Sequence, residues 1–376
     1  MRIAVLSRNF SSSGGGAERY SIALVEQLAA RHEVHVFAQT IAHQLPGVHY
    51  HQVPMPLRKP RWINQLWFAY ATWKATREGF DIVHSHENTW HGNVQTVHVL
   101  PVKHTLFVGK SGVSLALRWL KVATSPRLLA YLWLEKARYR LQPNRKVVLT
   151  SDTLRAVMLS AYPHSKPMLH CIPPGVKDAP GPASPEAIRE ARVKLHLPEH
   201  VFLLLFVGND MRKKGLPTLL DALRLLPGVH LAVVGNGEHL PEMRERAQAL
   251  DGRVHFLGAM QQVDVAYVAC NCLVHPTLED TYAMVVLEAM AHGLPVIVSN
   301  SAYCGIAAEL QNEGNALLLS DPRAPQEIVG DVQKILKETE LTSRLQVNAH
   351  AFAGARTWSR VGRAHEALFV LEDRHD

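Results

Sequence analysis

Residues 276–293 read PTLEDTYAMVVLEAMAHG and place two carboxylates, Asp280 and Glu288, eight residues apart. The stretch between them, TYAMVVL, carries no charge and passes from a turn into a helical pattern. Acidic groups on either side of such a turn suit the hydroxyls of a sugar or ribose. The helix start between them suits a phosphate, because first-turn amides point outward and the helix dipole favours negative charge there. The rest of the chain is then expected to supply the other parts of a site for a phosphorylated sugar-like ligand.

Working outward, short apolar runs precede and follow this block. VFLLLFVG (201–208), VHLAVVG (229–235), VHFLG (254–258), CLVHP (272–276), PVIVS (295–299) and ALLLS (316–320) alternate with helical segments. That alternation predicts a doubly wound parallel sheet. An earlier series repeats the pattern: RIAVL (2–6), EVHVFA (33–38), VHYHQV (48–53), DIVHSH (81–86), NVQTVHV (93–99) and KVVLTS (146–151). Between the two series, 171–187 are rich in proline and glycine and read as a linker. A length of 376 residues suits two domains.

Three further motifs lie at predicted strand ends. After the first strand, three glycines, Gly14 to Gly16, open a helix whose Ala17, Tyr20, Leu24 and Leu28 share one face. Glycine there permits close approach to a ligand, although the spacing is not the dinucleotide-binding pattern. The second is VGNDMRKKG, where Arg212, Lys213 and Lys214 follow a strand and Gly215 opens a helix. Cations in that position suit a diphosphate. The third is His98, which ends a strand of the first series. Gly235-Asn236-Gly237 also permits close backbone approach, to a ligand or simply within a turn.

Composition narrows the function class. A hydrophobic content of 47% with 19% charged residues is that of a globular protein, and net charge is +7. Basicity suits nucleic acid, a membrane surface or a phosphorylated small molecule. Without an aromatic RNA-binding signature or zinc-finger spacing, nucleic acid is not expected as a partner. The four cysteines have no metal-type spacing and read as reduced thiols of a cytoplasmic protein. His84 and His86 share a strand face, but only Glu87 is near to complete a set, so no metal is expected. Two basic segments, 56–77 and 102–146, are rich in tryptophan and leucine. They suit an anionic membrane surface, or packing on the first domain.

On these residues the chain resembles the retaining glycosyltransferases of family 4, which have the GT-B fold. The resemblance is carried by GGGAER, TVH at 96–98, SDTLR at 151–155, IPPGV at 172–176, VGNDMRKKG, VVGNGE at 233–238, VHFLG and the 275–299 block. It covers nearly the whole chain and is strongest toward the branch that builds the lipopolysaccharide core. It implies two Rossmann-like doubly wound domains facing across a cleft. Residues 1–176 with 357–376 would bind the acceptor, and 177–356 the nucleotide-sugar donor.

The family carries a Glu-x7-Glu pair. Glu288 matches its second member, which binds the ribose hydroxyls, and Asp280 stands where the first contacts the donor sugar. Asp280 is one methylene short, and the adjacent Glu279 is the second candidate. The resemblance places Lys214 on the diphosphate, Lys213 and Arg212 beside it, and His98 beside the donor sugar. Asn209 stands in place of a family arginine after Gly208. Gly15 and Gly16, Tyr282 to Val285 and Val254 are implied as further donor contacts.

The implied reaction moves a sugar, UDP-linked by expectation, to an acceptor hydroxyl with anomeric configuration retained. It needs no cofactor or metal, and runs on the cytoplasmic face of the inner membrane in surface-glycan assembly. A nucleotide-sugar epimerase and a non-catalytic nucleotide-sugar-binding protein are the alternatives.

Overall fold

The computed structural model describes residues 1–11, 15–57 and 59–370. Gly14 and the last six residues of the expected 357–376 segment lie outside the described residues. The chain forms two compact units, Met1–Pro173 with Trp358–Asp376, and Pro174–Thr357.

The first unit is built on seven parallel strands: β1 (Arg2–Leu6), β2 (Glu33–Ala38), β3 (Val48–Gln52), β4 (Ile82–Ser85), β5 (Val94–Val97), β6 (Lys146–Leu149) and β7 (Leu169–Cys171). Their order across the sheet is β3-β2-β1-β4-β5-β6-β7. The central strand β1 is apolar and fully buried from Ile3 to Leu6, while its neighbours β4 and β5 also bury the polar side chains of His84, Ser85, Gln95 and Thr96. The edge strand β3 instead mixes exposed and half-buried residues. The final helix, Trp358–Val370, packs on the helix Gly16–Ala29. There the Tyr20 hydroxyl and His365 Nε2 are 2.9 Å apart, and Glu366 accepts from Arg31 at 2.7 Å.

The second unit holds β8 (Phe202–Val207), β9 (Val229–Val234), β10 (Val254–Gly258), β11 (Cys272–His275), β12 (Val296–Ser299) and β13 (Leu317–Leu319), ordered β10-β9-β8-β11-β12-β13. All neighbours are parallel. Numbered within the unit, the order is the doubly wound 3-2-1-4-5-6. It reverses direction between β8 and β11, where such sheets open a crevice at their carboxyl ends. The α/β doubly wound architecture read from the alternating runs is therefore present in both halves.

Two expectations need correction. Cys171, read as the start of the linker, instead ends the strand β7. Residues 179–184 are also not free: the Gly181 amide donates to the Ala291 carbonyl at 3.0 Å, and the Ala179 carbonyl lies 2.9 Å from His350 Nε2. Proline fixes the backbone without offering a donor, so a proline-rich strap can follow the surface of a unit without forming a helix or strand.

The loops at the crevice are held by glycines. Gly215 has φ of 81°, and a Cβ there would lie 1.9 Å from the Pro276 carbonyl oxygen. Gly228 has a similar φ of 76° but meets nothing within 4 Å. Gly228→Ala is therefore expected to lose about 1–2 kcal/mol, the left-handed penalty alone. Gly215→Ala should lose clearly more, because the 214–216 and 276 backbones must separate. Chemical denaturation of the two variants checks the contrast.

Candidate functional site

The switch point brings together the two sequence motifs that flank it. β8 and β11 are neighbours, so the loops that leave their carboxyl ends, 208–215 and 276–283, lie side by side. The Leu278 amide donates to the Lys213 carbonyl at 2.8 Å, and the Thr277 hydroxyl to the same carbonyl at 3.3 Å. These bonds set the two lysines against the two acidic residues. Lys214 Nζ lies 2.5 Å from Asp280 Oδ2, and Lys213 pairs with Glu279.

The two pairs differ in environment. Lys213 and Glu279 have side chains 43% and 41% exposed, so their attraction is screened and worth well under about 1 kcal/mol. Lys214 and Asp280 are 22% and 15% exposed. Asp280 Oδ2 also lies 3.2 Å from His275 Nε2, and Oδ1 accepts from the amides of Tyr282 (3.3 Å) and Ala283 (3.0 Å). Its backbone is tied down as well, with its amide donating to Tyr303 O and its carbonyl accepting from Gly305 N. Burial raises the Asp280 pKa, but the His275 hydrogen bond and the Lys214 charge outweigh it and hold the carboxyl well below the usual range. Burial lowers the pKa of His275, with the Asp280 hydrogen bond opposing it.

In this structure Asp280 is held by the protein's own groups. A carboxylate offers about four acceptor positions, and four are engaged here. The more accessible carboxylate at this turn is Glu279. Ala283, at φ of 73°, caps the helix Met284–Ala291 in the left-handed region, a strained place for a side chain. Because Asp280 takes the amides of Tyr282 and Ala283, the first helical amides, of Met284 and Val285, are those presented to an anion. Glu288 is the polar residue of this otherwise apolar helix, and its carboxylate accepts from the Tyr267 hydroxyl at 2.8 Å.

Other predicted residues fall elsewhere. Arg212 is exposed and pairs with Glu242 at 2.5 Å instead of joining Lys213 and Lys214. Asn209 accepts from the Asn236 amide at 3.1 Å, and a Cβ on Gly237 would lie 1.7 Å from the Asn209 carbonyl oxygen. Gly235-Asn236-Gly237 thus closes on the chain's own 208–209 turn. Gly208 is packed against the stem of Lys214. Val254 opens β10 and packs into the apolar core, at the amino end of its strand. Parallel strands carry their site loops at the opposite end, so Val254 is removed from the group.

In the first unit, β4 and β5 deliver His86 and His98. His86 Nδ1 and His98 Nε2 are 2.9 Å apart, with rings stacked at 5.2 Å. Burial and then the nearby Arg138 charge push His98 down to about 3, so it is neutral at pH 7. Tyr20 meets its ring edge-on at 5.1 Å. Gly15 caps the helix Gly16–Ala29 at the end of the loop from β1, and both Gly15 and Gly16 are exposed. His84 and His86 stack at 4.5 Å inside the core.

Sequence reading did not name His275 or Tyr267 as site residues, and weighed His86 only as a metal ligand. His275 was visible as the residue before the 276–293 stretch. Tyr267 carries no motif signal.

The fold is that of GT-B glycosyltransferases. Residues 14–179 match the family described as Glycosyltransferase Family 4, and residues 187–352 that described as Glycosyl transferases group 1. The chain belongs to this family-4 type of glycosyltransferase. It is similar to the lipopolysaccharide glucosyltransferase WaaG of Escherichia coli (strain K12), 26% identical over 233 residues. That match spans 59% of this chain and 61% of the relative, less than two thirds of its length. Among solved structures, a WaaG crystal structure superposes with a TM-score of 0.84 at 22% identity, covering 98% of this chain and 100% of that one. Anabaena Alr3699/HepE in complex with UDP and glucose superposes at 0.78 and 18%, covering 99% and 100%.

Asp280→Asn keeps the turn but removes the charge that compensates Lys214. It is expected to destabilise the second unit by on the order of 3 kcal/mol at neutral pH. The folded pKa of Asp280 is depressed, so its contribution is complete above the unfolded value near about 4 and is lost as pH falls below it. Denaturation curves of wild type and variant should therefore differ by a constant amount above about pH 5 and converge in acid.

Proposed function

We propose that the protein transfers a sugar from a nucleoside diphosphate sugar, UDP-linked, to an acceptor hydroxyl of a bacterial surface glycan, with retention of configuration. The observation that carries this reading is the Lys214–Asp280 pair at the switch point, beside the first turn of Met284–Ala291. The leaving diphosphate gains charge as the glycosidic bond breaks. Lys214, Lys213 and the amides of Met284 and Val285 supply fixed positive potential where that charge develops. No metal is required in this scheme.

The ion pair also has a consequence for binding. A diphosphate competes with Asp280 for Lys214, and when the lysine turns to it, Asp280 Oδ2 is released toward the sugar hydroxyls. Glu279 is likewise released when Lys213 engages phosphate. Glu288, oriented by Tyr267, takes the ribose hydroxyls. His98 is neutral and so acts through a ring nitrogen as hydrogen-bond partner to the sugar, a role that rests on the resemblance. Retention follows in this reading from attack on the face from which the diphosphate leaves, with a phosphate oxygen receiving the acceptor proton.

Association with an anionic membrane surface is part of the proposal. Helices Val102–Phe107, Gly112–Ala123 and Pro126–Arg138 enclose a small core of Leu106, Val122 and Leu128. These helices leave Leu117, Trp119, Leu120 and Trp133 exposed, with Leu120 at 62%, and Lys110, Lys121 and Arg127 are exposed on the same segment. Apolar and basic groups together suit a lipid interface. No helix among the described residues is long and apolar enough to cross a membrane.

Two outcomes are expected. With UDP-glucose and a lipid-core acceptor, Lys214→Ala lowers kcat on the order of 10²–10³-fold, as loss of one preorganised donor does. An unchanged kcat in the folded variant removes Lys214 from the mechanism, and epimerisation of donor without acceptor would point to an epimerase. Co-sedimentation with phosphatidylglycerol vesicles should weaken with salt, and fall at least about tenfold in a Trp119→Ala, Leu120→Ala double variant. Equal recovery of variant and wild type rules this surface out.

A further inference from the structure

The face of the β2–β3 pair carries a second constellation, unrelated to the loops above. Strand β2 begins Glu33-Val34-His35, and β3 contains His49-Tyr50-His51. Residues two apart on a strand share a face, and the parallel register sets His35 opposite His49 and Phe37 opposite His51. One carboxylate and three imidazoles therefore meet on one side of the sheet. His35 is stacked between His49 at 4.7 Å and His51 at 5.1 Å, and Phe37 stacks on His51 at 4.5 Å.

The ring nitrogens of His35 are both directed. Nε2 lies 2.9 Å from Glu33 Oε1, and Nδ1 lies 2.9 Å from His51 Nε2. If His35 donates from Nδ1 to His51, its Nε2 presents a lone pair to a carboxylate oxygen. In that tautomer a cation fits between the two acceptors; in the other, His35 Nε2–H donates to Glu33, and a metal ion replaces that proton on binding. One donor atom each from Glu33, His35 and His49 lies within 4.8 Å of the others. Tetrahedral zinc with bonds of about 2.0–2.1 Å sets its ligands about 3.4 Å apart. Rotation of the exposed His49 and Glu33 side chains closes that difference, while His35 is held by burial.

We infer that Glu33, His35 and His49 form a binding site for a divalent transition-metal ion of the zinc type, with His51 fixing the tautomer and orientation of His35. Two imidazoles and a carboxylate are a ligand set for such ions, with the remaining position left to water. A histidine ligand whose other nitrogen is held by a hydrogen bond is the usual arrangement around zinc. The competing cation is Arg2, whose Nε donates to Glu33 at 3.0 Å. Arg2 has a second anchor at Gly79 O (2.9 Å), so it can yield Glu33 and stay in place. The metal would tie the edge strand β3 to β2. Glu33 opens its strand, so the site lies toward the amino ends, away from the loops that carry His98 and Gly15.

The test is Zn²⁺ titration by calorimetry on tag-free, chelator-treated full-length protein. Wild type is expected to bind one equivalent that is absent in both His49→Ala and Glu33→Gln. Both residues are exposed, and circular dichroism confirms that the variants fold. His51→Phe, which keeps the ring stack, should weaken binding about 10–100-fold. His230→Ala, in the separate stacked pair His230–His255, should leave the equivalent in place. Excess Mg²⁺, which prefers oxygen ligands, should not displace the zinc. Equal Zn²⁺ binding by wild type, His49→Ala and Glu33→Gln, loss of the equivalent in His230→Ala, or displacement by Mg²⁺ overturns the assignment.

Discussion

A single carboxylate holds the candidate site of the second unit together. Asp280 accepts from two amides of its own turn, from Lys214 of the neighbouring loop and from His275 at the end of β11. A buried charge is tolerated only when it is paired and hydrogen-bonded, and here the turn's own amides supply the hydrogen bonds while Lys214 of the neighbouring loop supplies the pairing charge. The loops that meet at Asp280 belong to adjacent strands at the sheet's switch point. The contact of Gly215 with the Pro276 carbonyl allows them to close to this distance. The position of the lysines beside the Met284–Ala291 helix start follows from that closure, and with it the capacity for a diphosphate.

The first unit uses histidine in two physical states. At the carboxyl ends of β4 and β5, His84, His86 and His98 are stacked and kept neutral mainly by burial. The Tyr20–His365 contact ties the last helix to the same cluster. At the β2–β3 edge a buried imidazole, His35, lies beside the exposed His49 and His51 and shares their face with a carboxylate. The first environment suits neutral hydrogen bonding to a ligand, the second suits cation capture. The difference comes from burial and from which partner the second ring nitrogen finds.

Much of the fold was legible. Runs such as Leu203–Phe206, buried to the last residue, have no alternative in a protein whose helices cover both sheet faces. The three-residue strand β7 was missed because LHC is too short to show a period, and it is recognised only by its pairing with β6. The 179–184 strap was read as a linker because proline-rich composition looks the same whether or not the chain is docked. Lys213 and Lys214 lie in the loop after β8 and pair with Glu279 and Asp280, and Glu288 lies on the helix Met284–Ala291 beside Tyr267. Arg212 belongs to the same basic run, yet it turns to Glu242, since Met211 beside it is buried and sets the direction of the loop. Val254 illustrates the reverse error, a residue of a matching motif that lies at the wrong end of its strand.

What the sequence determined by itself is the set of strands, their alternation with helices, and the residues placed just beyond strand ends, because periodicity and local chemistry are properties of neighbours along the chain. Which strands lie side by side, which of Glu279 and Asp280 faces solvent, and which histidines meet within hydrogen-bond distance were decided only by the tertiary structure. Those outcomes depend on the competition among groups far apart in sequence for the same hydrogen bonds and the same buried space. Lys214 and Asp280 lie 66 positions apart, and nothing local to either residue dictates their contact. It exists because β8 and β11 are neighbours in the sheet.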